Sequence, residues 1–137
     1  MLKHDATLEE AQEFFKGDLY AYEVTGCRLV EVAEGHAVCE LMLDPQRHFN
    51  AMGNVMGGAI FTLADYALAA ASNYNAGPAV SVSHTIEFMS SAKGSLLIAT
   101  CDVDKQGRSL GFYSTAVVDD TGRLVAKMTA TCFRVDA

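Results

Sequence analysis

The stretch from Gly57 to about Asn73 limits what this chain can fold into more than any other part of it. Ile60, Phe61, Leu63, Ala64, Ala67, Leu68, Ala70 and Ala71 cover most sides of a helix of that length. A helix that is apolar nearly all round has no face to offer water, so it must be buried. Between Arg47 and Glu87, the sole Asp, Glu, Lys or Arg is Asp65, in the middle of this helix. Asp is a poor interior helix residue, and burying a carboxylate without partners is costly. Either a nearby hydroxyl or backbone N–H satisfies it, or burial tunes it as a catalytic base or nucleophile.

A helix buried on most sides needs a sheet around it, and the rest of the chain supplies strands. Thr7-Leu8-Glu9-Glu10 reads as a capping box that opens a short helix over about 7–17, ended by Gly17. Tyr20 to Val32 has the composition of a strand with an irregularity at Gly26. Ala33-Glu34-Gly35 turns the chain into a second strand, His36 to Leu43, in which Ala37, Cys39, Leu41 and Leu43 share one face. Asp44-Pro45 breaks that strand, and Arg47 to Gly58 reads as a loop rich in Gly and Asn. After the turn at Asn75-Ala76-Gly77-Pro78, strands are expected at Ala79–Met89, Leu96–Lys105, Leu110–Asp119 and Leu124–Val135. Consecutive hairpin-linked strands favour an antiparallel sheet. The expected architecture is α+β: one domain over 1–137, a curved, mainly antiparallel sheet wrapped around a long central helix at about 57–73.

Composition narrows the function classes. The chain has 137 residues, half of them hydrophobic, which suits one domain with a substantial core. A net charge of −7, from 10 basic and 17 acidic residues, disfavours nucleic acid as a partner. No apolar run approaches the roughly 20 residues of a membrane span, and MLKHDATLEE lacks an export signal, so no membrane partner and a cytoplasmic location are expected. Cys27, Cys39, Cys101 and Cys132 form no C-x-x-C pair. They read as small buried hydrophobes, and no metal site is expected.

Gly57-Gly58 opens the central helix, with Asn54 as a candidate N-cap. Free N–H groups at a helix start, approached closely over glycine, can polarise a carbonyl oxygen. The plainer reading is a tight turn or close backbone packing. Asp65 follows Gly57 by eight residues (65 − 57 = 8), which is roughly 12 Å along a helix. Two groups that far apart cannot both reach one carbonyl carbon. Two antiparallel copies of the helix can, each lending its N-terminus to the other's Asp65. If Asp65 and Gly57 cooperate, the site is therefore shared across a two-fold dimer.

The run HFNAMGNVMGGAIFTLAD, His48 to Asp65, resembles the N-x-x-G-x-x-H-G-G-x-x-x-x-L-x-D signature of the PaaI-type hotdog-fold acyl-CoA thioesterases. Asn50, Gly53, Gly57, Gly58, Leu63 and Asp65 fit in register, and the similarity extends from about Tyr22 to Phe133. The resemblance implies a single hotdog domain that hydrolyses acyl- or aryl-CoA thioesters, with coenzyme A as part of the substrate and no separate cofactor. It implies that Asp65 activates water or attacks the thioester carbonyl, and that the Gly57 N–H of the opposing subunit binds the carbonyl oxygen. It gives Asn50 a role in positioning water or substrate, and Ser83 a role in holding the water. It also favours a homotetramer of two dimers. The usual His before the glycines is Met56 here; with Gly58 it is expected to line the substrate site. Lys93, Lys105 and Arg108, near strand turns, are candidates for the coenzyme A phosphates. His48 and His84 read as solvent-exposed or structural. Two further readings stay open beside hydrolysis. One is a non-catalytic hotdog module that binds acyl-CoA, which has no need of Asp65. The other is a dehydratase or isomerase, which usually needs a His close to the Asp. The acyl group itself is not legible.

Overall fold

The computed structural model describes residues 1–135, so the last two positions of the expected 1–137 domain lie outside the described residues. The elements run α1 (Leu8–Phe15), a π-helical turn (Tyr20–Thr25), β1 (Arg28–Ala33), β2 (His36–Met42), α2 (Pro45–His48), α3 (Gly57–Asn73), β3 (Ala79–Phe88), β4 (Leu96–Gln106), β5 (Leu110–Asp119) and β6 (Leu124–Arg134). The six strands form one sheet in the order β1-β2-β4-β5-β6-β3, and every pairing is antiparallel. The long helix α3 packs on the inner face of this sheet, as its all-round apolar sequence requires.

The inner face is made of small residues. Ala37 and Cys39 of β2 and Ala99 and Cys101 of β4 are fully buried, opposite the equally buried Ala64, Ala67 and Ala71 of α3. Small side chains on both partners let helix and sheet backbones approach closely, where even a narrow gap would forfeit much of the dispersion attraction between them. The cysteines are therefore packing residues. Burial pushes the Cys27 and Cys101 thiols up to about 12, and Cys39 and Cys132 are raised by the same cause.

The capping box at α1 forms as expected. Thr7 Oγ1 accepts from Glu10 N at 3.1 Å, and the Glu10 carboxylate accepts from Thr7 N at 3.0 Å. Ala11 and Phe15 carry its buried face, with the Phe15 ring edge-on to Tyr66 of α3.

Three expectations need correction. Tyr20–Thr25 is a π-helical turn, not the first part of a strand. Its carbonyls are held from outside. Arg47 donates to Val24 O at 2.6 Å and to Glu23 O at 3.3 Å, and His48 Nε2 contacts Thr25 O at 2.7 Å. Gly26, at φ +97°, then reverses the chain into β1. Second, Pro45–His48 forms a one-turn helix where loop and breaker were expected. Asp44 caps it by accepting from Gln46 N at 2.9 Å, and Pro45 takes the first helical position, where its missing N–H costs nothing. Third, the N-cap of α3 is Met56, without a side-chain cap, and not Asn54.

β3 forms one edge of the sheet. It is ten residues long, and Val80, Val82 and Phe88 on it are exposed. A long edge strand with apolar side chains is a ready template for pairing. No helix among the described residues is long and apolar enough to cross a membrane.

Candidate functional site

Asp65 sits mid-way along α3 on the side that faces β3. Its side chain is 49% exposed, so the full burial expected of it is not reached within one chain. Burial still raises its pKa above the usual carboxylate range, while the nearby His84 pulls it back down. Asp65 lines a cavity of about 440 Å³ together with Asp18, Tyr20, Phe61, Thr62 and Tyr66.

Gly57 and Asn50 line a different cavity, of about 430 Å³, with Ile60, Phe88 and Met89. Here the N-terminus of α3 is open. Met56 provides no side-chain cap, the first turn carries no acidic residue, and neither Gly57 N nor Gly58 N donates a hydrogen bond among the described residues. The first N–H groups of a helix have no partner inside it, and they carry the positive end of the dipole. The Phe88 ring lies against Gly57, 3.1 Å from where a β-carbon would stand, so the residue cannot grow without moving that ring. Gly58 faces open space, and Thr62 Oγ1 donates to its carbonyl at 2.7 Å.

Asn50 organises the loop that precedes the helix. Its Oδ1 accepts from Met52 N at 3.0 Å and from Asn54 N at 3.1 Å, while Asn50 N donates to Asn54 O at 2.7 Å. The carbonyl end of the amide is thus consumed locally, and the Nδ2 end makes no hydrogen bond among the described residues. Met56, just before Gly57, is 56% exposed, its N–H bound to His48 O at 2.7 Å. His48 itself is buried and structural: its ring accepts from Asp44 N at 2.9 Å.

The structure separates Ser83 from Asp65 of its own chain. Ser83 is paired with Thr131, whereas His84 faces Ala130 and Ser81 faces Cys132, both of which are buried. A bulge between Ser81 and Ser83 sets this register, so Ser81 and His84 share the inner face and Ser83 points outward. His84 is the residue that sequence reasoning missed: its Nε2 is 3.6 Å from Asp65 Oδ1. Its place in the alternating row of Ile86 and Phe88 marks the face it takes, though not the residue it meets.

The three cations are dispersed. Lys93 is exposed on the β3–β4 loop, next to Ala92 of the Gly57 cavity. Its N–H donates at 2.7 Å to Asp119, a buried carboxylate. Burial alone would raise Asp119, but hydrogen bonds from Thr121, Lys93 and Arg123 hold it at about 2. Lys105 and Arg108 are exposed at the far end of the sheet, where Arg108 lines a groove with Gly77 and Arg134.

The thioesterase superfamily pattern matches residues 52–126, more than half of the chain, including Gly57, Asp65 and His84. The chain belongs to the thioesterase superfamily. Human acyl-coenzyme A thioesterase 13 is 37% identical over 103 residues, covering 72% of this chain and 73% of that one. The Escherichia coli acyl-coenzyme A thioesterase PaaI is 30% identical over 128 residues, covering 93% and 90%. The thioesterase also shares its architecture with the solved structure of E. coli PaaI, from the phenylacetic acid degradation operon. That likeness has a TM-score of 0.81 at 27% identity over 94% of this chain and 96% of the other. A Streptococcus mutans protein solved with acetyl CoA bound superposes with a TM-score of 0.72 at 26% identity, over 77% and 85%. The six-stranded antiparallel sheet around α3 is thus the hotdog fold that the sequence resemblance implied.

Proposed function

We propose that the thioesterase hydrolyses acyl- or aryl-CoA to the free acid and coenzyme A, in sites shared by the two chains of a homodimer. The observation that carries this reading is the division of the chemistry. Asp65 and the pair Gly57 and Asn50 line separate cavities on one helix. Their spacing of roughly 12 Å is too great for one thioester carbonyl. A two-fold axis beside α3 sets the Gly57 end of one chain against Asp65 of the other, twice. The exposed β3 edge with Val80 and Val82 supports such a pairing, since two copies extend one sheet and cover those side chains. Two dimers pairing into a tetramer complete the assembly.

In this site Asp65 draws a proton from water as the water oxygen attacks the thioester carbon, or attacks that carbon directly. The carbonyl electron pair moves onto oxygen, where the Gly57 N–H of the opposing chain and the α3 dipole stabilise it. The free Asn50 Nδ2 points the carbonyl or the water. By the water route, collapse breaks the C–S bond, the pair leaves on sulfur, and the proton passes from Asp65 to coenzyme A; by direct attack, collapse leaves the acyl group on Asp65 as an anhydride, which water then cleaves to the free acid, its proton going to the coenzyme A thiolate. Met56 and Gly58 border the acyl entrance, and Lys93, beside the Gly57 cavity, is the cation placed to meet the phosphates, while Lys105 and Arg108 stand at the far end of the sheet. Ser83 projects from the outer face of β3 and takes no step in this scheme. The substrate class is supported by the names of the two acyl-CoA thioesterase relatives and by the acetyl CoA bound to the S. mutans neighbour.

The test is thiol release from a panel of acyl-CoAs by the wild type and by Asp65→Ala. Loss of two or more orders of magnitude, the scale of a missing general base, supports the reading. Tight acyl-CoA binding by the wild type without thiol release from any member refutes it in favour of a binding module.

A further inference from the structure

His84 is 15% exposed and bounded on three sides. The Phe61 ring of α3 lies 5.1 Å away between centroids, Met128 Sδ of β6 is 3.3 Å from Nδ1, and Asp65 Oδ1 is 3.6 Å from Nε2. The last is an ion-pair distance rather than a hydrogen bond. Both ring nitrogens therefore face acceptors: a carboxylate has no proton to give, and a thioether only accepts. Glu87 and Lys127, paired beside it, project from the opposite face of the sheet. The other ionisable groups that feel the Asp65 charge are Asp18, from the segment before the π-helical turn, and Cys132 of β6.

We propose that His84 is a positioning residue of the thioesterase site: its ring, seated between Phe61 and Met128, presents Nε2 to Asp65 Oδ1 and leaves Oδ2 for the water. This inference rests on the thioesterase reading above. The pull of His84 on Asp65 opposes the rise that burial causes, so the carboxylate stays available as the base once a second chain closes over it.

Two measurements on the intact protein test it. The first is kcat against pH for the wild type, His84→Gln and His84→Ala on the best acyl-CoA. His84→Gln keeps a donor without the ring. Its kcat falls roughly 10-fold, His84→Ala falls up to about 100-fold, and in both the acid limb moves to higher pH with KM changed less than about twofold. The second is NMR: the Asp65 carboxyl titration followed by 13C in wild type and His84→Gln. An Asp65 midpoint that rises in His84→Gln is expected. An Asp65 midpoint and acid limb indifferent to His84→Gln overturn the proposal. If the wild type cleaves no acyl-CoA, the thioesterase reading fails by that result, and the NMR pair of measurements still decides the Asp65–His84 pairing.

Discussion

Two inactive variants of this chain should restore each other when mixed. Asp65→Asn removes the base and keeps the helix N-terminus. Gly57→Pro removes the N–H aimed at the carbonyl oxygen and keeps Asp65. Proline suits that first helical position, where φ is already near its fixed value and the N–H has no partner in the helix. A β-carbon there meets the far end of the Phe88 side chain, which can shift. Each homodimer then lacks one half of both sites. Gly57→Pro should fall by about 10²–10³ in kcat, the scale of a lost oxyanion donor, and Asp65→Asn by about 10²–10⁴. In a heterodimer, one site joins the mutated halves and the other joins the two intact ones. With random exchange about half the dimers are mixed, and each has one working site of two, so activity returns to about a quarter of wild type. The assay is thiol release after the two proteins are unfolded together and refolded, with differently tagged chains to count heterodimers. Heterodimers present in the expected proportion but no more active than their parents would refute the shared site, and with it the argument from helix spacing.

Three other outcomes follow from particular contacts. The pKa of Asp65 is raised in the fold, so the stability it contributes is present below its unfolded pKa and is lost as pH rises through the folded value. Asp65→Asn should therefore melt above the wild type at pH 7 while losing activity, with the gap closing near pH 3; a lower Tm at pH 7 contradicts this. Asp119 is depressed to about 2, so its contribution is present above about pH 4 and fades as pH falls towards 2. Thermal melts from pH 5 to 2 should show a steeper loss in wild type than in Asp119→Asn. Thr7→Ala breaks the capping box and should cost about 1 kcal/mol, read by urea unfolding, with kcat and KM unchanged because Thr7 and Glu10 bond each other and line neither site cavity.

What could be read from the sequence follows from where each signal is stored. The helix Gly57–Asn73 and the strands β4, β5 and β6 were legible because burial writes itself into local periodicity. The turn Tyr20–Thr25 was not, because the groups that hold its carbonyls, Arg47 and His48, come from 20 or more positions away. Tyr20 and Val24 have the composition of a strand, yet both are exposed, so no sheet face selects them. Asp65 stood out as the lone charge in an apolar helix. His84 did not, since its meaning depends on β3 crossing α3, and pairings across the fold leave no mark in spacing. The bulge at Val82 likewise put Ser81 on the inner face with His84, and a one-residue slip of that kind is invisible in a short alternating run.

The alanine and cysteine lining between α3 and the sheet bears on how this enzyme can diversify. Ala37, Cys39, Ala99 and Cys101, pressed against Ala64, Ala67 and Ala71, are all closed to solvent. Both cavities that hold the site residues open instead along the flanks of the helix, among loops and side chains such as Tyr20, Phe61, Phe88 and Met89. Tail length and bulk can accordingly be retuned at the periphery, residue by residue, without cutting into the packing that keeps the monomer folded. Selection on substrate and selection on stability then act on largely separate sets of positions.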